Sequence, residues 1–301
     1  MSTPARDNTL PSEKSEIMAD IIDAHHHLWN YDAAQYAWIG DGMDVLRRDF
    51  TFADFQLVAE PTGISGSVAV QARQTLEETL WLLQIAAQHP RLLGVVGWLP
   101  LRESTATAHI ADLRRHPKLK GIRHVVQDEP EDDFLLDKSF NHGISALTAS
   151  GLVYDLLVRV SQLPATRTFV AQHPSQAFVL DHLAKPDIRS GRIDPWRTEI
   201  YRLADSPNVS CKLSGLVTEA AWDSWTYEEI APILDIALDA FGSDRLMAGS
   251  DWPVCLLASS YARWWDLLHT WTSQLNASER DQILRGTATR IYRLDPAPQS
   301  L

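Results

Sequence analysis

The sequence predicts a single (β/α)8 barrel of the TIM type, on three observations. Short apolar runs alternate along the 301 residues with longer amphipathic stretches. The runs are nearly continuous in apolarity, as expected for parallel strands buried on both faces. Eight such runs occur, each followed by a helical stretch with no compositional break, and eight βα units close a barrel. A doubly wound open sheet is the competing arrangement, although the chain lacks a glycine-rich phosphate loop of either common pattern.

Residues 1–19 are polar, lack the apolar core of a secretory signal, and read as a disordered lead-in, so the barrel is expected over 20–295. The first strand is expected over Asp20–His25, and Trp29–Phe50 reads as an extended loop rich in aromatics and acids. The second strand, Ser67–Gln71, leads to a helix over Leu76–Gln88, with Thr75 as N-cap and a stop at His89-Pro90. The third, Leu92–Leu99, precedes a helix over Thr105–Arg115 that ends before Pro117. The fourth, Leu119–Val126, precedes Lys138–Ala149, with Gly151 suited to close that helix. The fifth, Leu152–Val158, leads to Leu163–Gln172, which stops before Pro174. The sixth, Ala177–His182, leads to Pro195–Ala204, with proline in the first turn. The seventh, Asn208–Leu213, leads to Tyr227–Phe241, ended by Gly242. The eighth, Arg245–Ser250, leads to Tyr261–Leu275, whose Trp264, Trp265 and Trp271 form a face against the barrel exterior. A final helix pair covers Ala277–Arg285 and Thr287–Tyr292.

Composition excludes several classes. A net charge of −12 argues against nucleic acid and anionic membrane surfaces, whose charges would repel the chain. No segment approaches the ~18 apolar residues of a membrane span. Cys211 and Cys255 are far apart and suit a reducing compartment, so a cytoplasmic protein is expected. Cys211 reads as a small core hydrophobe. The expected partner is a small molecule, and a homo-oligomer is compatible with the chain.

In a barrel, chemistry sits where strands end and the βα loops open. Ile21-Ile22 runs into Asp23-Ala24-His25-His26-His27, and strand alternation puts His25 and His27 on one face with His26 on the other. Two converging imidazoles make half of a site for a divalent metal or an oxyanion. Asp23 caps a turn or braces His25. The other strand ends offer Gln71 and Arg73; Trp98; Arg123, His124, Gln127 and Asp128; Tyr154 and Asp155; Asp181 and His182; Lys212 and Ser214; and Asp251. Charged groups gather in a barrel only for a reason, because unpaired buried charge is expensive. Arg123 is expected to anchor substrate, with His124 close behind. Lys212 lies mid-strand and needs a partner or a substrate anion. Tyr154 and the tryptophans Trp29, Trp38 and Trp252 offer packing or ring-stacking surfaces. Asp251 ends the last strand beside the first, where its carboxylate can take a proton from water held by His25 and His27, with or without a metal.

Four motifs carry a family resemblance: Asp23-Ala24-His25-His26-His27-Leu28-Trp29, Val179-Leu180-Asp181-His182-Leu183-Ala184-Lys185-Pro186, Cys211-Lys212-Leu213-Ser214-Gly215 and Gly249-Ser250-Asp251-Trp252-Pro253-Val254. Together they resemble the amidohydrolase-2 family, and within it the branch of sugar-lactone hydrolases acting on L-fucono- and L-rhamnono-type lactones. The resemblance runs from about Asp20 to Leu294. It implies a (β/α)8 barrel that opens a lactone ring by hydrolysis. It assigns the family's first-strand histidine pair to His25 and His27, its sixth-strand histidine to His182 and its eighth-strand aspartate to Asp251. By this reading Asp251, His182 and Arg123 are catalytic, with Asp251 as general base. His124, Lys212, Trp29, Tyr154 and Trp252 contact substrate, and His25, His27 and Asp251 hold any metal. A two-metal centre is not expected, because Lys120 comes too early on the fourth strand and the fifth has no histidine. The resemblance admits one divalent ion, zinc first, and also catalysis without metal. Two other enzyme readings stand beside it: hydrolysis of a dicarboxylate lactone from aromatic degradation, and metal-dependent decarboxylation on the same barrel. A barrel that stores metal or senses sugar without chemistry is the non-enzymatic alternative.

Overall fold

Strand pairing runs in chain order through eight parallel strands: β1 (Ile21–His26), β2 (Ile64–Val70), β3 (Leu92–Gly97), β4 (Leu119–His124), β5 (Val153–Leu156), β6 (Phe178–Leu180), β7 (Val209–Leu213) and β8 (Leu246–Ala248). The computed structural model describes residues 20–295, so the expected lead-in over 1–19 lies outside the described residues. The ring closes just beyond β8. There the Asp251 amide donates to the His25 carbonyl at 2.8 Å and the His27 amide to the Trp252 carbonyl at 2.6 Å. The architecture is therefore the expected (β/α)8 barrel, with its last seam drawn by the loop that carries Asp251.

Helices fill the intervals and pack outside the strands: α1 (Phe52–Ala59), α2 (Leu76–Gln88), α3 (Ala106–Leu113), α4 (Lys138–Ser150), α5 (Leu163–Gln172), α6 (Asp194–Ala204), α7 (Tyr227–Phe241) and α8 (Tyr261–Thr272). A π-type turn over Gln282–Gly286 joins α9 (Ala277–Asp281) to α10 (Thr287–Tyr292). The α1 helix was not assigned from the sequence. It is short, but Thr51 and Asp54 cap it reciprocally: the Asp54 amide donates to Thr51 Oγ1 at 3.2 Å and the Thr51 amide to Asp54 Oδ2 at 2.8 Å. The expected tryptophan face on α8 is present. Trp264 donates to the Gly249 carbonyl at 2.7 Å and so ties α8 to the end of β8.

Strand alternation divides the core in two. Outward side chains such as Ile122, Tyr154, Phe178, Cys211 and Leu213 pack under the helices. Inward ones, including Ile22, Val68, Val70, Val96, Val153, Val179 and Met247, form an apolar floor that Ala288, Tyr292 and Leu294 close from below. Polar side chains occupy the barrel above that floor. Among the described residues, no helix is long and apolar enough to cross a membrane.

Candidate active site

A register shift between Asp23 and His26 turns both His25 and His27 inward while His26 points out. His26 stacks on Phe55 with ring centroids 3.9 Å apart and bonds Ser67 Oγ at 3.1 Å. Inside, His25 Nε2 and His27 Nε2 are 3.1 Å apart, and Asp251 Oδ1 lies 3.6 and 3.2 Å from them. Val70 accepts from His27 Nδ1 at 2.8 Å, which leaves the Nε2 lone pair facing inward. Two lone pairs and a carboxylate thus converge, and these acceptors repel unless a proton or a cation lies between them. Tetrahedral zinc with bonds of about 2.0–2.1 Å would hold its ligand atoms roughly 3.3 Å apart. The donor set and spacing fit a divalent ion.

Around this trio runs a buried charge lattice. Asp181 accepts from Arg123 Nη1 at 3.0 Å, pairs with Lys212 Nζ at 3.0 Å, and lies 3.4 Å from His25 Nδ1. Lys212 also donates to Asp155, which accepts from the Tyr292 hydroxyl at 2.8 Å. Burial pushes Asp155 up, with Lys212 opposing. Burial acts on Asp181 in the same direction, but Lys212, His25 and Arg123 outweigh it and hold that carboxyl well below its ordinary range. Burial would likewise raise Asp251; the surrounding imidazoles, His182 first and then His27 and His25, reverse the sign, so Asp251 stays an anion. Burial drives the His25 imidazole well below its usual value and His182 down to about 4, leaving both neutral near pH 7.

Strained backbone carries the two loop residues into place. Asp251 has φ +56°, and His182, Leu183, Ala184 and Lys185 all lie in the left-handed region. Such residues cost about 1–3 kcal/mol each and persist where the surroundings over-determine them. His182 Nδ1 lies 2.9 Å from Ser214 Oγ, and its Nε2 lies 3.9 Å from Asp251 Oδ1. Gly215 makes room for both: a Cβ there would stand 2.5 Å from His182 Nδ1 and 3.1 Å from Asp251 Oδ2. Asp23 turns out to be a brace. It accepts from the backbone amides of His25 and Ser250 and from the Tyr261 hydroxyl, joining β1, the β8 loop and α8.

Above the trio opens a cavity of about 650 Å³. Its inner wall is His27, Arg123, His182 and Asp251; Trp38, Arg73, Arg159, Lys185, Glu219 and Trp222 stand on its outer walls.

The amidohydrolase family's sequence model matches residues 22–294. This chain belongs to the amidohydrolase family. It is 44% identical over 292 residues to the L-fucono-1,5-lactonase of Burkholderia multivorans, covering 93% of this chain and 98% of that one. It is 37% identical to the L-fucono-1,5-lactonase of Burkholderia ambifaria, covering 91% and 96%. A crystal structure of an amidohydrolase from Burkholderia multivorans with bound zinc superposes with a TM-score of 0.89 at 44% identity, covering 92% of this chain and all of that one.

Of the residues expected at the site, His27, Arg123, His182 and Asp251 line the inner end of the cavity, and His25 lies buried behind them, 3.1 Å from His27. The five expected substrate contacts are corrected, because none lines the cavity. Tyr154 points outward among Phe140, Phe169 and Phe178. Lys212 is inside the barrel but beneath the site, spent on Asp155 and Asp181. His124 faces outward, stacked on Phe134 and bonded to Glu129 at 2.6 Å. Trp252 is buried against Phe50 and Phe55. Trp29 is buried behind Trp38, which it meets edge-on at 5.6 Å; Trp38 lines the cavity and Trp29 does not. Lys120 donates to the Arg293 carbonyl at 3.0 Å, on the floor side and away from the trio. Sequence reasoning missed Lys185, Glu219, Trp222 and Arg159 as cavity residues. Only Lys185 carried a signal, as part of the sixth-strand motif.

Proposed function

We propose that this amidohydrolase hydrolyses the lactone ring of a sugar-derived aldonolactone of the L-fucono type. The observation that carries the reading is the convergence of His25, His27 and Asp251 at the base of the cavity, in a chain 44% identical to an L-fucono-1,5-lactonase. Asp251 has two oxygens for two tasks: Oδ1 faces the imidazoles, while Oδ2 faces Gly215. Asp251 takes the proton of the attacking water and returns it to the departing ring oxygen. Arg123, lining the cavity, stabilises the oxyanion formed on the carbonyl. The neutral His182 imidazole faces Asp251 and completes the inner wall. A carboxyl held as low as Asp251 is a weak base, so it needs an acidified water. A divalent ion held by His25, His27 and Asp251, zinc first, would supply that acidity and polarise the carbonyl.

Charge matching favours a neutral lactone over a dicarboxylate one. Each cation on the cavity wall faces a carboxylate: Arg123 with Asp181, Arg159 with Asp128, Lys185 with Glu219 and Arg73 with Glu78. A substrate bearing two carboxylates would need unpaired cations there. The test is acid release from L-fucono-1,5-lactone, followed with a pH indicator before and after chelation. Ring opening above the spontaneous rate supports the proposal; no opening with metal restored removes it.

A further inference from the structure

The Lys185-Glu219 pair does not earn its place by stability. Its Nζ and Oε1 atoms are 3.4 Å apart, and the two side chains are 24% and 26% exposed. Ion pairs with this much solvent contact contribute ~0–1 kcal/mol. Both residues line the cavity, as do Thr218 and Trp222 of the same loop. The loop is rigid by construction. Trp222 Nε1 donates to the Thr218 carbonyl at 2.9 Å, Thr218 Oγ1 to the Gly215 carbonyl at 2.8 Å, and the Arg189 amide to the Glu219 carbonyl at 3.0 Å. At its root, Gly215 packs against His182 and Asp251. Lys185 ends the same left-handed run that begins at His182. Two chain segments therefore each bind one end to the reactive centre and the other to this wall.

We infer that Lys185, Glu219 and Trp222 form the subsite that reads the hydroxyl groups of the substrate, one wall away from the atoms that open the ring. The inference rests on the lactonase reading and specifies how its substrate is recognised. A neighbouring pair of hydroxyls needs one donor and one acceptor set close together, and an ammonium beside a carboxylate provides both. The paired charges leave this wall near neutral, which suits an uncharged polyol and not an anion. The half-buried indole beside them offers an apolar face for the C–H side of a sugar ring.

The experiment compares L-fucono-1,5-lactone with δ-valerolactone, a ring of the same size without hydroxyls, in wild type, Lys185→Met and Glu219→Gln. The ratio of kcat/KM for the hydroxylated over the bare lactone should fall about tenfold in each variant, chiefly through KM for the hydroxylated substrate. A fall of less than threefold in both variants overturns the inference, whatever the absolute rates. Should wild type open neither lactone, the lactonase reading fails, and the subsite is judged by calorimetric titration with L-fucitol, an uncharged polyol. Saturable binding weakened threefold or more by either substitution upholds it; absent binding, or binding that neither substitution weakens threefold, overturns it.

Discussion

Asp251 stays ionised because its neighbours outweigh its burial, and that balance makes it the residue with the sharpest expected phenotype. Asp251→Asn keeps the shape and removes both the anion and the proton acceptor, so turnover of L-fucono-1,5-lactone should drop by ~10³-fold or more with unchanged circular dichroism. Near-normal turnover would take Asp251 out of the chemistry. Asp181 has a different role, since it offsets Arg123 and Lys212 in a dry interior. Asp181→Asn leaves those cations under-compensated and should lower stability by about 3–5 kcal/mol in urea titrations. Gly215 was visible in the sequence only as the end of a motif, and its reason is steric: a methyl group there meets His182. The inner-wall residues were legible because histidine, aspartate and arginine at strand ends are costly and so informative. Tyr154 and His124 were misread because being at a strand end does not say which face a side chain takes. A one-residue change of phase sends it under the helices.

At the level of elements, helices with apolar periodicity and a proline or glycine stop were legible to within a few residues. The α1 helix was not, because eight residues carry little periodicity and only the Thr51-Asp54 cap marks it. The role of α10 was also hidden. It reads as an ordinary terminal helix, yet it seals the barrel floor and sends the Tyr292 hydroxyl to Asp155 at 2.8 Å. Tyr292→Phe keeps the packing but strands one side of a buried carboxylate, and should cost ~1–3 kcal/mol by thermal or urea unfolding. No loss of stability would show that water replaces the hydroxyl there.

The whole molecule responds to acid through imidazoles it buries uncharged. Burial takes His26 from an ordinary 6.5 to about 3 and His182 to about 4. A depressed imidazole contributes stability that is complete above about 6.5 and is lost as pH falls toward the folded-state value, because the unfolded chain takes the proton first. Between pH 7 and pH 5 each group should withdraw about 2 kcal/mol. The urea midpoint should therefore fall over that interval, and fall less in His26→Asn, whose side chain points out of the barrel toward Phe55 and Ser67. An equal fall in that variant would assign the acid response elsewhere.

Local pattern alone determined the eight βα units, the inward histidine pair and the terminal aspartate. Apolar runs, helix stops and rare polar residues at strand ends are written in neighbouring positions. Only the tertiary structure decided which polar residues share a cavity, that Lys212 is consumed beneath the site, and that Lys185 meets Glu219. Those facts depend on strand phase, barrel closure and loop paths across distant segments, and pairing energies between side chains far apart in sequence leave no trace in local composition.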